Sequence, residues 1–351
     1  MMIMLDDTQL FKLRQFLAQA DHFAMENVKA GRGGPFGAAL HVYCPAQKLW
    51  IQVGDFAANA VLEKGIASAH AENEILSPTN IAQLKDILRN TSPDALVVLT
   101  SSGESCPACH AKEEIVARHL LAEGLLETSF NFIVTYGATY ADTLTVAGFN
   151  DAPYLVDMQR PAQEQTIRRL SFSLDDLPSP VAHLFRTAPE PLAVVAHGDT
   201  VMASGLDQRG HDLIATPEVS AIRTACRLRK EQQHDRPFDL GAATLYTSTL
   251  MLGPLAYAEC LWANITTCIS VNDSAGSAFA WTEAPTLSNT EFFKVVARHD
   301  PQASALTLLH LPEGFKNMAQ QAWRARITDE IATTGHAPSL YNGATIYSDQ
   351  K

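Results

Sequence analysis

A chain that spells the same helix twice has to fold twice, and this one does. Residues 69–76 read "AHAENEIL" and residues 215–226 read "ATPEVSAIRTAC". Glu72 and Glu218 hold the same place in the two stretches, but His70 is matched by Thr216. The surroundings repeat too. Leu10, Leu13, Leu17, Ala20 and Ala24 recur at helical spacing, with Phe16 and Phe23 beside them. That helix breaks at "AGRGGP", where Gly31, Gly33 and Gly34 stand close together. Segments 36–43 and 48–54 read as a hairpin, 94–102 as a buried strand, Cys106 to Leu121 as a helix and 130–137 as a strand. The second pass has a hairpin at 192–207, the helix at 215, a strand at 242–250, a helix at 254–265 and a strand at 266–271. Helices alternating with strands in this order predict an α/β fold: two tandem three-layer α-β-α domains, each a mixed sheet covered by helices.

The length agrees with that reading. The chain has 351 residues, and single cores stop growing at ~250–300 residues. The expected partition is a first domain over 1–157, a linker over 158–188 and a second domain over 189–351. The linker segment holds Pro161, Pro178 and Pro180 and shows no clear period. The last stretch adds a helix with Met318, Ala322, Ala325 and Ile331 on one face, and then a tail. Its aromatic part, 337–347, is a candidate flap.

Charge excludes some functions. Lys and Arg number 26 against 38 Asp and Glu, a formal net charge of −12. A dedicated nucleic-acid binder draws its affinity from cations on phosphates, so that class is disfavoured. The run Arg227–Arg236 mixes bases with acids and glutamines and reads as a solvated helix face. No apolar run reaches the ~18 residues of a membrane span, and Asp6 and Asp7 stand where a signal peptide would be basic. Cys44, Cys226, Cys260 and Cys268 sit singly in apolar surroundings, as reduced core cysteines do. The expected compartment is the cytoplasm.

Chemistry gathers in the first copy. His70 with Cys106 and Cys109 offers three metal ligands and leaves a fourth position open, the form of a catalytic zinc site. His70 begins one helix. Both cysteines begin another, where the helix dipole favours thiolates. Glu72 lies two residues after His70, off its helical face, so it is poorly placed to share the metal. It is placed instead to reach a water or substrate beyond the metal, as a proton carrier must. His110 and His119 read as surface or packing residues. The pair Cys106–Cys109 taken alone also fits a redox dithiol.

H-x-E followed by P-C-x-x-C marks the zinc deaminases. "HAE" (70–72) and "SCPAC" (105–109) match it, with Ser105 where that pattern has proline, which implies a looser turn. "GGPFGAAL" (33–40) resembles the "GGPFGA" stretch of guanine deaminases, and "AGFND" (147–151) resembles their "AGFDD". The first 157 residues thus resemble the cytidine/deoxycytidylate deaminase superfamily, in its guanine deaminase branch. The resemblance implies cytidine deaminase-like domains, a Zn²⁺ cofactor held by His70, Cys106 and Cys109, and Glu72 as the catalytic acid–base. It implies Asn59 and Asp151 as substrate contacts, with Phe36 either near the ring or plain core.

The second copy resembles the same family in "LYTSTLMLGPLAYAECLWANI". There Leu252 and Leu255 are aligned with the two cysteines and Thr216 with the histidine, so no zinc is expected. Glu218 reads as a helix N-terminal acid. Because members of the superfamily work as dimers or larger assemblies, the implied arrangement is an intramolecular pseudo-dimer, with association of whole chains left open. The implied partner is a small molecule, a purine or related amino-heterocycle. The implied reaction is hydrolytic deamination, guanine to xanthine plus ammonia being the first guess. Other nucleobases, a nucleoside, a pterin, a triazine or a pathway-specific amine are the alternatives. A tRNA adenosine deaminase and a non-catalytic zinc protein stand behind them.

Overall fold

The apolar stripe near the N-terminus folds as the spacing predicts. Helix α1 (Asp7–Lys29) starts from Asp6, whose carboxylate accepts from the Gln9 backbone N–H while the Gln9 side chain accepts from Asp6. Its buried face holds Leu13, Phe16, Leu17, Ala20 and Ala24, whereas Phe23 is exposed. Burying each large side chain contributes about 1.5–3 kcal/mol before entropy is subtracted. The structure is a computed structural model that describes residues 5–148, 151–188, 191–234, 237–272, 282–313 and 315–334. The tail at 337–347 lies outside the described residues.

After α1 come β1 (Gly37–Cys44), β2 (Leu49–Ala58), α2 (Val61–Lys64), α3 (Ala71–Ile75), α4 (Pro78–Arg89), β3 (Leu96–Gly103), α5 (Pro107–Ala122), β4 (Phe132–Ala138), α6 (Tyr140–Ala147) and α7 (Ala152–Gln159). Then follow β5 (Arg168–Ser173), α8 (Ser179–Thr187), β6 (Leu192–His197), β7 (Thr200–Leu206), α9 (Pro217–Glu231), β8 (Thr244–Thr247), α10 (Pro254–Trp262), β9 (Thr267–Asn272), α11 (Asn289–Val296), β10 (Thr307–His310) and α12 (Met318–Thr334).

These elements build two compact α/β units, each on a mixed five-stranded sheet. The first sheet runs β10-β4-β3-β1-β2 and the second β5-β9-β8-β6-β7. Pairing repeats strand for strand. β1 is antiparallel to β2 and β3, and β3 is parallel to β4. β6 is likewise antiparallel to β7 and β8, and β8 is parallel to β9. In both sheets the fifth strand joins in parallel. β1 and β3 are buried along their whole length, which fits their mostly apolar character.

The boundaries differ from the sequence partition in the linker, at the C-terminal end and in the short piece Gly65–Ser68. The first unit takes the residues up to Lys64, Ala69–Ala152 and the chain from Gln302 onward. The second takes Gly65–Ser68 and Pro153–Pro301. The segment 158–188 is therefore not a linker. It carries β5 and α8, and Leu177, Val181, Ala182 and Phe185 pack with Leu192, Val194 and Ala196 in the second core. Its prolines misled because they open structure: Pro178 is the N-cap of α8 and Pro180 lies in its first turn, where no N–H is needed. β5 shows no alternation because it is an exposed edge strand. Another shift is at the C-terminal end, where β10 pairs with β4 and Trp323 of α12 packs with Val28 and Ala147. Among the described residues, no helix is long and apolar enough to cross a membrane.

Candidate metal centre

The site is built at two helix starts in the first unit. His70 is the N-cap of α3 and Cys106 the N-cap of α5, with Pro107 as its first helical residue. The Cys106 Sγ accepts from the Cys109 backbone N–H at 3.4 Å, which seats the thiolate on the positive end of the helix. His70 Nδ1 lies 3.4 Å from Cys106 Sγ and 3.5 Å from Cys109 Sγ, and the two sulfurs are 3.3 Å apart. Zn–S bonds of ~2.3 Å and Zn–N bonds of ~2.0–2.1 Å at tetrahedral angles set donors roughly 3.5–3.8 Å apart. The spacing and chemistry of these donors therefore fit a zinc ion. Among the described residues this is the cluster of His, Cys or acidic side chains that converges tightly enough to hold a metal.

Glu72 stands outside that ligand set. Its Oε1 accepts from the Ser101 hydroxyl at the end of β3, and its Oε2 lies 3.5 Å from Cys109 Sγ. Burial pushes its carboxyl up to about 7, against the opposing pull of the Ser101 hydrogen bond and His70. For His70, burial alone would lower the pKa, but the Cys106 thiolate, Asp151 and Glu72 raise it to about 9. Cys106 is held well below the ordinary thiol range: burial opposes this, and hydrogen bonding with Cys109 and His70 outweighs it. Cys109 is driven well above that range, by burial first and then by Cys106.

The other sequence-predicted residues have the following surroundings. Asp151 is raised to about 8, by burial first and then by Cys106, with Glu72 and Glu104 adding and His70 opposing. Asn59 is buried, and its Oδ1 accepts from the Gly34 and Val61 backbone N–H groups at 3.1 and 3.3 Å. Its own N–H donates to Phe36, and Ala60 N–H donates to Ala69, the residue before His70. Gly33 is required here, since a Cβ would come 1.9 Å from the Asn59 carbonyl oxygen. The half-buried Phe36 ring lies against Gly103, where a Cβ would be 3.0 Å from its edge. His110 is buried beside Glu113 (Nδ1–Oε2 3.5 Å), a packing histidine as expected, and His119 lies in the last turn of α5.

Ser105 does not loosen the turn. Its hydroxyl donates to buried Glu113 at 2.6 Å and its carbonyl accepts from the Tyr140 hydroxyl at 2.6 Å, so two hydrogen bonds do what a proline ring would. Sequence reasoning missed Ser101, Glu104 and Glu113. Ser101 lay in plain view in "TSS", but nothing local says that a strand end will meet Glu72.

The second unit repeats this frame without the donors. Thr216 is the N-cap of α9, as His70 is of α3, and Glu218 stands where Glu72 does. Glu218 Oε1 accepts from the hydroxyls of Thr247 and Thr249. Gly253 caps α10 before Pro254, as Cys106 caps α5 before Pro107. The helix register thus sets Gly253 and Ala256 against the cysteines, one residue beyond the Leu252 and Leu255 of the sequence alignment. Both leucines are buried all the same. The helix terminus is taken by Glu283, whose carboxylate accepts from Leu255 and Ala256 N–H at 2.8 and 2.9 Å. A Cβ on Gly253 would fall 2.1 Å from the Glu283 carboxyl carbon, so a cysteine there requires this carboxylate to leave its place at the helix terminus.

No family model and no curated protein matches the chain. Among solved structures, guanine deaminase from Bacillus subtilis matches at 26% identity, over 50% of this chain and 95% of that one, with a TM-score of 0.31.

Proposed function

We propose that the first unit is a zinc-dependent hydrolytic deaminase of a free amino-heterocycle, with guanine the first substrate to test. The observation that carries this reading is Glu72: an acid fixed by Ser101, excluded from the ligand set, with its second oxygen 3.5 Å from Cys109 Sγ. A purely structural metal site has no use for such a group. His70, Cys106 and Cys109 would hold the ion. Zinc supplies Lewis acidity there, which brings the pKa of a water toward ~7.

Glu72 takes a proton from the attacking water and delivers it to the ring nitrogen beside the amino-bearing carbon. Water oxygen bonds to that carbon, the C–N bond breaks, and the second water proton leaves on ammonia. A carboxyl near neutrality suits both the taking and the giving. Asn59 orients the heterocycle, Asp151 contacts it or gives it a proton, and Phe36 packs near it or serves as core. The second unit, with Glu283 at the helix terminus, is a metal-free degenerate copy, and the tandem is an intramolecular pseudo-dimer.

The test is ammonia release by the zinc-loaded full chain from guanine, guanosine, cytosine, adenine, pterins and triazines. Turnover of at least one free base, lost in Glu72→Gln, is expected. A zinc-replete protein that releases ammonia from none of them contradicts the reading.

A further inference from the structure

Helix α5 carries an unusual burden. Its side chains His110, Lys112, Glu113 and Glu114 are 3, 3, 0 and 0% exposed. Lysine and glutamate are almost never buried so fully unless paired. Lys112 and Glu113 stand three and four residues beyond Cys109, on the face that carries the ligand. Glu113 holds Ser105 in the lead-in to α5. Glu114 accepts from the Ala305 N–H at 3.0 Å, which anchors the helix to the segment before β10. Lys112 does something different. Its Nζ donates to the Asn73 carbonyl at 2.6 Å, one residue beyond Glu72.

That carbonyl needs a donor. α3 spans five residues, Ala71–Ile75, and helices this short have no stability of their own. The last carbonyls of a helix lack partners within it and carry the negative end of its dipole. An ammonium there satisfies both demands. The second unit shows the contrast. Glu259 stands three residues after Ala256, as Lys112 does after Cys109, and accepts from Arg223 Nε at 3.0 Å. That brace runs to a side chain of α9, a helix of 15 residues that can hold its own first turn. Where the acid rides on a short helix, the brace goes to the backbone instead.

We infer that Lys112 is a positioning residue of the metal centre: it ties the short helix bearing His70 and Glu72 to the helix bearing Cys106 and Cys109. The inference rests on the zinc reading above, and it predicts a loss of preorganisation rather than of ligands. Partners of this kind typically change metal affinity or activity ~10–100-fold.

The experiment uses the zinc-loaded full chain and two readouts that need no substrate: the rate of zinc release to a chromogenic chelator, and the visible absorption of the cobalt-substituted protein. Lys112→Met should bind one metal, release zinc about tenfold faster or more and shift the cobalt bands. Lys112→Arg should restore release to within about twofold. Release and spectrum unchanged in Lys112→Met overturn the inference. Should that variant fail to fold, Lys112→Gln decides: faster release and altered bands support the inference, and wild-type values overturn it. A wild-type chain that binds no zinc would sink the metal reading itself, a result distinguishable from wild-type behaviour in the variants.

Discussion

Glu72 and Glu218 are the same residue in two copies of one frame, and their surroundings have diverged. Both follow an N-cap, both are fully or nearly buried, and both accept from a hydroxyl near the end of the first strand of a parallel pair. Beside Glu72 stand two thiols and an imidazole. The matching helix terminus in the second unit holds Gly253 and the Glu283 carboxylate. The comparison teaches that the acid and its hydroxyl partner belong to the shared architecture, while the donors that could hold a metal stand in the first unit. A buried carboxylate at a helix N-terminus is tolerable in either setting because N–H groups or hydroxyls satisfy it.

The sharpest way to break this comparison is to neutralise each acid in turn. Glu72→Gln should lower ammonia release by about 10³-fold with zinc retained, as removal of a general acid–base does. Glu218→Gln should change that rate less than about twofold. Equal losses in steady-state assays of the two variants would mean that the copies have not parted in function.

Next in size is an attempt to undo the divergence. Thr216→His, Gly253→Cys and Ala256→Cys together with Glu283→Ala should raise the metal content from one zinc per chain to two. The same three changes with Glu283 kept should leave it nearer one, because the Glu283 carboxylate is held on the helix terminus by the Leu255 and Ala256 N–H groups and would have to give way to a Gly253 side chain. Elemental analysis reads the outcome, and a second zinc bound with Glu283 in place would remove the argument for exclusion.

A smaller effect is expected at Ser101. Its hydrogen bond favours the charged form of Glu72, so Ser101→Ala should raise that pKa further. Glu72 would then lose its proton only at higher pH, and the acid limb of the kcat profile should move upward with a severalfold loss at neutral pH. An unmoved limb would show that Ser101 does not set the acid.

How much of this was legible in the sequence depended on how local each signal was. The convergence of His70, Cys106 and Cys109 could be read because the histidine and the cysteine pair each open a helix and match a known motif. The repeated strand order could be read because β1, β3 and β6 are largely buried and mostly apolar. Ser101, Glu113 and Lys112 could not, because their partners Glu72, Ser105 and Asn73 are met by folding rather than by spacing. The fifth strands escaped for a different reason: β5 is exposed along an edge and β10 spans four residues, so neither shows a period. The Leu252 and Leu255 alignment slipped by one because matching letters outweighed the helix-opening Pro254, which alone sets the register.

The smallest expected effect concerns stability. Burial raises the Glu218 carboxyl above its ordinary 4.5, while Thr247 and Thr249 oppose the rise. An acid whose pKa is higher in the folded state keeps its proton longer there, so the stability it contributes falls as pH climbs from ~4.5 through the raised value. Glu218→Gln removes that titration. The variant's melting temperature relative to wild type should rise with pH across that window by a few degrees. A difference that stays flat with pH would mean the buried acid is not perturbed.

The central claim is that one copy of the duplicated frame holds a metal and the other does not. Elemental analysis of the purified full chain, with His70→Ala and Thr216→Ala alongside, tests it most directly. The account predicts one zinc per chain in the wild type and in Thr216→Ala, and none in His70→Ala. Zinc at zero or two per chain in the wild type, or zinc retained by His70→Ala, would contradict it.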